Sequence, residues 1–120
     1  MIETSCHCGA VRIEVARAPE TLTDCNCSLC RRSGGLWGYF HPDEVAFAAG
    51  AGTTVGYVQG GGYLASHHCP TCGNLTHWQS TEKGNPERMG VNFRLVSDPR
   101  AIDGIRVRRL DGADTWEFLD

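Results

Sequence analysis

Cys25-Asn26-Cys27-Ser28-Leu29-Cys30 places three thiols within six residues, in the pattern C-x-C-x-x-C. Two further pairs, Cys6/Cys8 and Cys69/Cys72, complete the chain's seven cysteines, so every thiol belongs to a cluster. Four thiolates make a closed tetrahedral zinc site, whereas three protein ligands leave a coordination position open. The sequence therefore reads as a small β-rich domain arranged around one closed zinc and one open zinc.

The rest of the composition agrees with that reading. A chain of 120 residues fits a single domain, 1–120, and is long enough to bury a real core. With 41% hydrophobic and 21% charged residues it has an ordinary globular balance, and its 15 glycines favour strands and turns over helices. The net charge of −3 argues against nucleic acid or an anionic membrane as partner, because either calls for a basic face. No stretch approaches the ~18–20 apolar residues of a membrane span. Met1-Ile2-Glu3-Thr4-Ser5 lacks the basic start and apolar centre of a signal peptide, so a cytoplasmic location is expected. In that reducing compartment paired cysteines more often bind metal than form disulfides, and an odd count would leave one thiol unpaired. The oligomeric state is not legible.

Working outward from the trio, Thr21 to Asp24 is expected to be a short strand that delivers Cys25 and Cys27. Cys27 to Arg32 is expected to open a single helical turn, ended by Ser33-Gly34-Gly35. Val11-Arg12-Ile13-Glu14-Val15 alternates apolar and charged residues, the pattern of a strand with one buried face. Cys6 and Cys8 precede it, and an extended backbone would aim both sulfurs the same way. Further strands are expected over residues 36–40, 45–47, 55–58, 75–79, 89–93 and 105–108, and residues 63–68 lead into the next cysteine pair. Cys69-Pro70-Thr71-Cys72-Gly73 reads as a metal knuckle, with proline presetting one turn dihedral and Gly73 taking the positive φ that follows. Trp116 to Leu119 is expected to be a short tail.

The simplest division of the thiols puts Cys6, Cys8, Cys69 and Cys72 around one structural metal. Closing the intervening loop of about 60 residues costs ~3.6 kcal/mol. A structural zinc contributes roughly 10–16 kcal/mol and readily offsets it. Cys25, Cys27 and Cys30 then hold a second zinc with one free position. Three thiolates make that zinc a weak Lewis acid, better suited to holding a soft thiolate than to making hydroxide. Two other readings stand beside this one. A histidine, His41 foremost among the five, fills the fourth position; or Cys27 and Cys30 form a redox disulfide.

C-H-C-G at Cys6–Gly9, C-N-C-S-L-C-R-R-S-G-G at Cys25–Gly35 and C-P-T-C-G-N-L at Cys69–Leu75 together resemble the glutathione-dependent formaldehyde-activating enzyme family, to which centromere protein V is related. The resemblance covers nearly the whole chain and includes all seven cysteines. It implies a mostly β fold of several small coiled antiparallel sheets, shared with methionine sulfoxide reductase B and a small zinc-containing guanine-nucleotide-exchange chaperone. It implies structural zinc ligands at Cys6, Cys8, Cys69 and Cys72, and catalytic zinc ligands at Cys25, Cys27 and Cys30. It implies two zinc ions and a carbon–sulfur lyase of the S-(hydroxymethyl)glutathione synthase type, with a small-molecule thiol and aldehyde as partners.

On that scheme Arg31, next to Cys30, is positioned to pair with a substrate carboxylate, since the guanidinium fork matches carboxylates. Trp37 and Tyr39 are pocket-wall residues, and His41 is a proton shuttle. The alternative function is a non-catalytic zinc scaffold for a protein partner. A methionine sulfoxide reductase activity is disfavoured, because no cysteine lies outside the clusters.

Overall fold

The computed structural model describes residues 1–120. Ten strands and one α-helix account for its regular structure: β1 (Ile2–Ser5), β2 (Arg12–Val15), β3 (Thr21–Cys25), α1 (Ser28–Ser33), β4 (Trp37–Phe40), β5 (Val45–Ala49), β6 (Val55–Val58), β7 (Leu64–His68), β8 (Leu75–Ser80), β9 (Met89–Asn92) and β10 (Arg106–Leu110). Three short 3-10 turns cover Pro42–Glu44, Phe93–Leu95 and Pro99–Ile102.

The strands form a three-stranded sheet in the order β1-β2-β5 and a seven-stranded sheet in the order β10-β3-β4-β9-β8-β7-β6. The expectation of a mostly β fold is met. The expectation of antiparallel pairing throughout fails at one edge, where β10 runs parallel to β3 from Arg106 opposite Thr21 to Leu110 opposite Cys25. A parallel neighbour needs a long return connection. Here residues 26–105, two-thirds of the chain, separate the two strands, and an alternating pattern at residues 105–108 carries no information about direction.

Alternation in β2 works as read: Val11, Ile13 and Val15 are buried while Arg12 faces out. These side chains join Leu22, Leu36, Phe40, Met89, Val91 and Phe93 in one apolar core, with Phe40 and Phe93 stacked at 5.9 Å. β9 is buried along its whole length rather than on alternate residues, because β4 and β8 flank it and both its faces are covered. Gly90 makes this possible: an added Cβ would overlap the indole of Trp78. The helical turn after the trio is also as expected, closed by Gly34 in the left-handed region at φ 75°.

β1 was not legible as a strand. It pairs with β2 from Ile2 opposite Val15 to Ser5 opposite Arg12, and buries Thr4. The C-terminal residues are more than a tail. Leu119 N–H donates to the Arg109 carbonyl at 2.9 Å, and Phe118 bridges to Leu110. Asp120 pairs with Arg106 at 2.9 Å, and the Arg108 guanidinium lies 3.7 Å from the centre of the Phe118 ring. Arg106 and Arg108 of the basic run thus have internal partners.

Candidate metal centres and the adjoining cavity

Cys6 and Cys8 do not sit on an extended strand. Residues 6–9 form a tight turn in which the Gly9 N–H donates to the Cys6 carbonyl at 3.0 Å, with Gly9 at φ 81°. The turn, and not side-chain alternation, brings the two sulfurs to 3.6 Å of each other. Gly73, at φ 80°, closes the opposite knuckle as its position in the motif predicts. The Cys8 and Cys69 sulfurs meet at 3.6 Å across 61 positions of sequence, and all four sulfurs of Cys6, Cys8, Cys69 and Cys72 lie within 4.8 Å of one another. A tetrahedral zinc with sulfurs about 2.3 Å away holds them roughly 3.8 Å apart, so the set fits such an ion.

Backbone donors lower the thiols of Cys69 and Cys72, whereas Cys8, despite a bond to the Ala10 backbone, is pushed up to about 11 by desolvation and its neighbouring thiols. The N–H groups of Val11 and Thr71 point at the Cys6 and Cys69 sulfurs at 3.2 and 3.4 Å. Backbone N–H groups of Asn74 and Cys8 bring the Cys72 thiol down to about 6. A thiolate is what a metal binds, and these donors stabilise one before any ion arrives.

Cys25, Cys27 and Cys30 form the second group, their sulfurs also within 4.8 Å of one another. Cys25 ends β3, Cys27 caps the N-terminus of α1, and Cys30 lies in the first turn of that helix. The Cys27 sulfur accepts from the Cys30 N–H at 3.3 Å, the Cys25 sulfur from the Cys27 N–H at 3.4 Å, and the Cys30 sulfur from the indole N–H of Trp37 at 3.4 Å. Burial raises the Cys30 thiol strongly, with the Trp37 bond opposing it. No histidine or carboxylate ligand atom joins the trio. His41 is spent elsewhere: its Nδ1 accepts from the Asp43 N–H at 3.0 Å and caps the turn Pro42–Glu44. All seven cysteines are unbridged in this structure.

The trio borders a cavity of about 280 Å³. Cys25, Cys27, Leu29 and Cys30 line it together with Trp37 and Tyr39 of β4, Leu64 and Ser66 of β7 and Trp78 of β8; Gln59, Gly60, Gly61 and Tyr63 come from the glycine-rich loop; Leu110 and Trp116 come from the end of β10 and the segment after it. The expectation that Trp37 and Tyr39 wall a pocket is met. Arg31 is exposed on α1 and lines no part of the cavity, and His41 is likewise outside it. Arg32 is committed to its own helix, donating to the Ser28 carbonyl at 2.9 Å.

Sequence reading missed Gly112 and the segment around it. A Cβ on Gly112 would overlap the Cys25 sulfur, so only glycine lets this backbone close over the trio. The segment is tied to Asn26, the residue between the first two cysteines. The Asn26 Nδ2–H donates to Asp111 Oδ1 at 3.1 Å, and Asn26 Oδ1 accepts from the Ala113 N–H at 2.9 Å. Asp111 Oδ2 accepts from the Thr115 hydroxyl at 3.0 Å, and the Trp116 N–H donates to the Asp111 carbonyl at 2.7 Å. These bonds hold Trp116 at φ 59°, a left-handed conformation uncommon for a bulky residue. The available signal was Asp111-Gly112, a turn pair, but nothing in it points to residues some 85 positions earlier.

The family model described as "Glutathione-dependent formaldehyde-activating enzyme" matches residues 1–106. A Halomonas elongata protein, provisionally described by the same name, is 48% identical over 40 residues, which is 32% of this chain and 26% of that protein. The matched segment thus spans about a quarter of that relative. The crystal structure of a Rhodobacter sphaeroides protein superposes with a TM-score of 0.69 at 31% identity, covering 88% of this chain and 98% of that one.

Proposed function

The chain belongs to the glutathione-dependent formaldehyde-activating enzyme family, and from that membership we infer that it joins a thiol to a small aldehyde in the cavity beside Cys25, Cys27 and Cys30. Residues 1–120 are taken as one domain with two zinc ions. Cys6, Cys8, Cys69 and Cys72 would hold the structural ion, and Cys25, Cys27 and Cys30 the catalytic one. The observation that carries the reading is a three-sulfur group, joined by no other ligand, that opens onto a cavity.

A zinc held by three thiolates supplies a soft position at which a thiol is ionised and kept nucleophilic at neutral pH. The chain's own residues do the rest. Trp37 fixes the Cys30 sulfur through its indole N–H, and Asn26 and Gly112 hold the C-terminal segment against the trio. Apolar walls exclude water that would compete with the thiol for the aldehyde. In the overall reaction the substrate sulfur bonds to the aldehyde carbon, the carbonyl π bond breaks, and the proton lost by the thiol ends on the new hydroxyl. The reverse reaction is carbon–sulfur cleavage, which places the activity among lyases. Arg31 remains the substrate-binding residue of this proposal only for a substrate that reaches beyond the cavity lining, of which Arg31 is no part; a thiol without a carboxylate has no need of it.

Cys27→Ser tests the scheme. We expect it to retain one zinc and the native fold, and to lose thiol–aldehyde turnover by about 100-fold or more, the scale at which perturbing a metal's surroundings is felt. Undiminished turnover with only one zinc bound would refute it. The scaffold reading draws on one observation. The edge strand β6 exposes Val55, Tyr57 and Val58, an apolar strip open to strand addition by a protein partner. A zinc-replete protein that turns over no thiol and aldehyde would favour that reading.

A further inference from the structure

All three tryptophans of the chain, Trp37, Trp78 and Trp116, line the cavity beside the trio, together with Tyr39 and Tyr63. No lysine, arginine, histidine or carboxylate is among the lining residues. Trp37 is 3% exposed and its indole N–H is already spent on the Cys30 sulfur, so it presents its ring rather than a donor. Trp116 and Tyr63 are 65% and 58% exposed, a poor use of aromatic rings unless something covers them. Trp116 is moreover held in place by the Asn26–Asp111 ties, in a backbone conformation that a tryptophan adopts only under constraint.

Two cations, Lys83 and Arg88, lie against rings of this wall without lining the cavity. Lys83 donates to the Gly61 carbonyl at 2.8 Å and lies 5.3 Å from the centre of the Tyr63 ring. The Arg88 guanidinium lies 4.1 Å from the centre of the Tyr39 ring. Both line an adjoining groove that shares Tyr63, Leu64 and Trp78 with the cavity, and neither lines the cavity itself. An ionised carboxylate moved into the cavity would lose water and find no cation, at a heavy penalty. An uncharged ring would meet aromatic faces and edges, which attract it. The cavity, at about 280 Å³, falls just below the roughly 300–1,000 Å³ common for ligand sites, so the part of the ligand it takes is compact. The family match ends at residue 106, and Leu110 and Trp116 lie beyond it; this part of the wall is not covered by the family's name.

We propose that the cavity selects an uncharged aromatic thiol over a charged peptide thiol such as glutathione, with Trp116 as the residue that sets this preference. The inference rests on the thiol–aldehyde reading above, since it assumes that the ligand's sulfur meets the trio.

Because every tryptophan borders the cavity, intrinsic fluorescence reports occupancy without any turnover. The zinc-loaded full chain is titrated with benzyl mercaptan, 2-mercaptoethanol and glutathione. Benzyl mercaptan is expected to bind at least 10-fold more tightly than either of the others. Trp116→Ala, which removes a largely exposed side chain and leaves two reporters, is expected to narrow the ratio between benzyl mercaptan and 2-mercaptoethanol to within about 3-fold. Glutathione binding as tightly as benzyl mercaptan would overturn the proposal. So would a selective loss of glutathione binding in Arg88→Ala, which would put substrate carboxylates in the outer groove. If 2-mercaptoethanol binds in the wild type but not in Cys27→Ser, and benzyl mercaptan has no advantage, only this inference fails. If no thiol binds, or if binding is indifferent to Cys27, the thiol–aldehyde reading fails with it.

Discussion

Gly112 rests against the Cys25 sulfur with no space for a side chain, and its would-be Cβ comes within 3.0 Å of the Cys27 Cβ. Gly112→Ala is therefore expected to push the C-terminal segment off the trio. Overpacking of this kind costs about 1–3 kcal/mol. Zinc content should drop from about two per chain to about one, with the far-ultraviolet circular dichroism unchanged. Retention of both ions would show that the segment and the trio are independent. A second residue of consequence, His77, is 1% exposed; its ring stacks on that of His67 at 4.8 Å and meets the Phe47 ring at 5.0 Å. Burial, aided by the charge of His67, holds His77 down to about 4 from an ordinary 6.5. The folded chain then refuses a proton that the unfolded chain accepts. Stability contributed by neutral His77 is complete above pH 6.5 and declines as the pH falls from there to about 4. At pH 5 the loss amounts to about 2 kcal/mol. Urea unfolding of wild type and His77→Gln at pH 8 and pH 5 checks this: the variant should lose less on acidification, by about that amount, while protonation of the cysteine clusters affects both alike.

At the scale of elements, the trio is a junction between the end of β3, the start of α1 and the segment after β10. The first two were legible because C-x-C-x-x-C followed by Ser33-Gly34-Gly35 encodes both the ligand spacing and the helix stop within eleven residues. The third was not. Its ties are bonds between side chain and backbone, or between side chains, across 85 and 87 positions, and local pattern does not report them. The same limit hid the parallel pairing of β10 with β3 and the strand at Ile2–Ser5, whose buried face is the single residue Thr4. Geometry at Cys6 and Cys8 was anticipated for the wrong reason, since a glycine-closed turn and not an extended strand converges the sulfurs. Asn26→Ala removes two of the long-range bonds. Each bond is worth about 0.5–1.5 kcal/mol, so the pair costs about 1–3 kcal/mol and lowers the thermal midpoint by several degrees. Local loosening of the segment is expected as well, seen as faster hydrogen exchange at Ala113 and a red-shifted Trp116 emission. Exchange at Ala113 equal to wild type would contradict this.

For the molecule as a whole, the four-sulfur site fastens the turn at Cys6–Gly9 to the knuckle between β7 and β8, linking the chain's start to its middle. The two metal sites should therefore fail differently. Cys69→Ser, or complete chelation, is expected to abolish the cooperative thermal transition, because the ion's roughly 10–16 kcal/mol exceeds the 5–15 kcal/mol of a whole domain. Cys27→Ser should melt within several degrees of wild type. Equal losses in the two variants would show that the division of labour between the sites is wrong. The central claim, that Cys25, Cys27 and Cys30 hold zinc with a place left for a thiol, is tested most directly by zinc K-edge absorption before and after saturation with 2-mercaptoethanol. Four sulfurs at one ion and three at the other give a mean of about 3.5 per zinc, which should rise to about 4 when the thiol binds. A mean that stays at about 3.5 under saturating thiol would mean that the trio's fourth ligand belongs to the protein and does not leave, and the account would be contradicted.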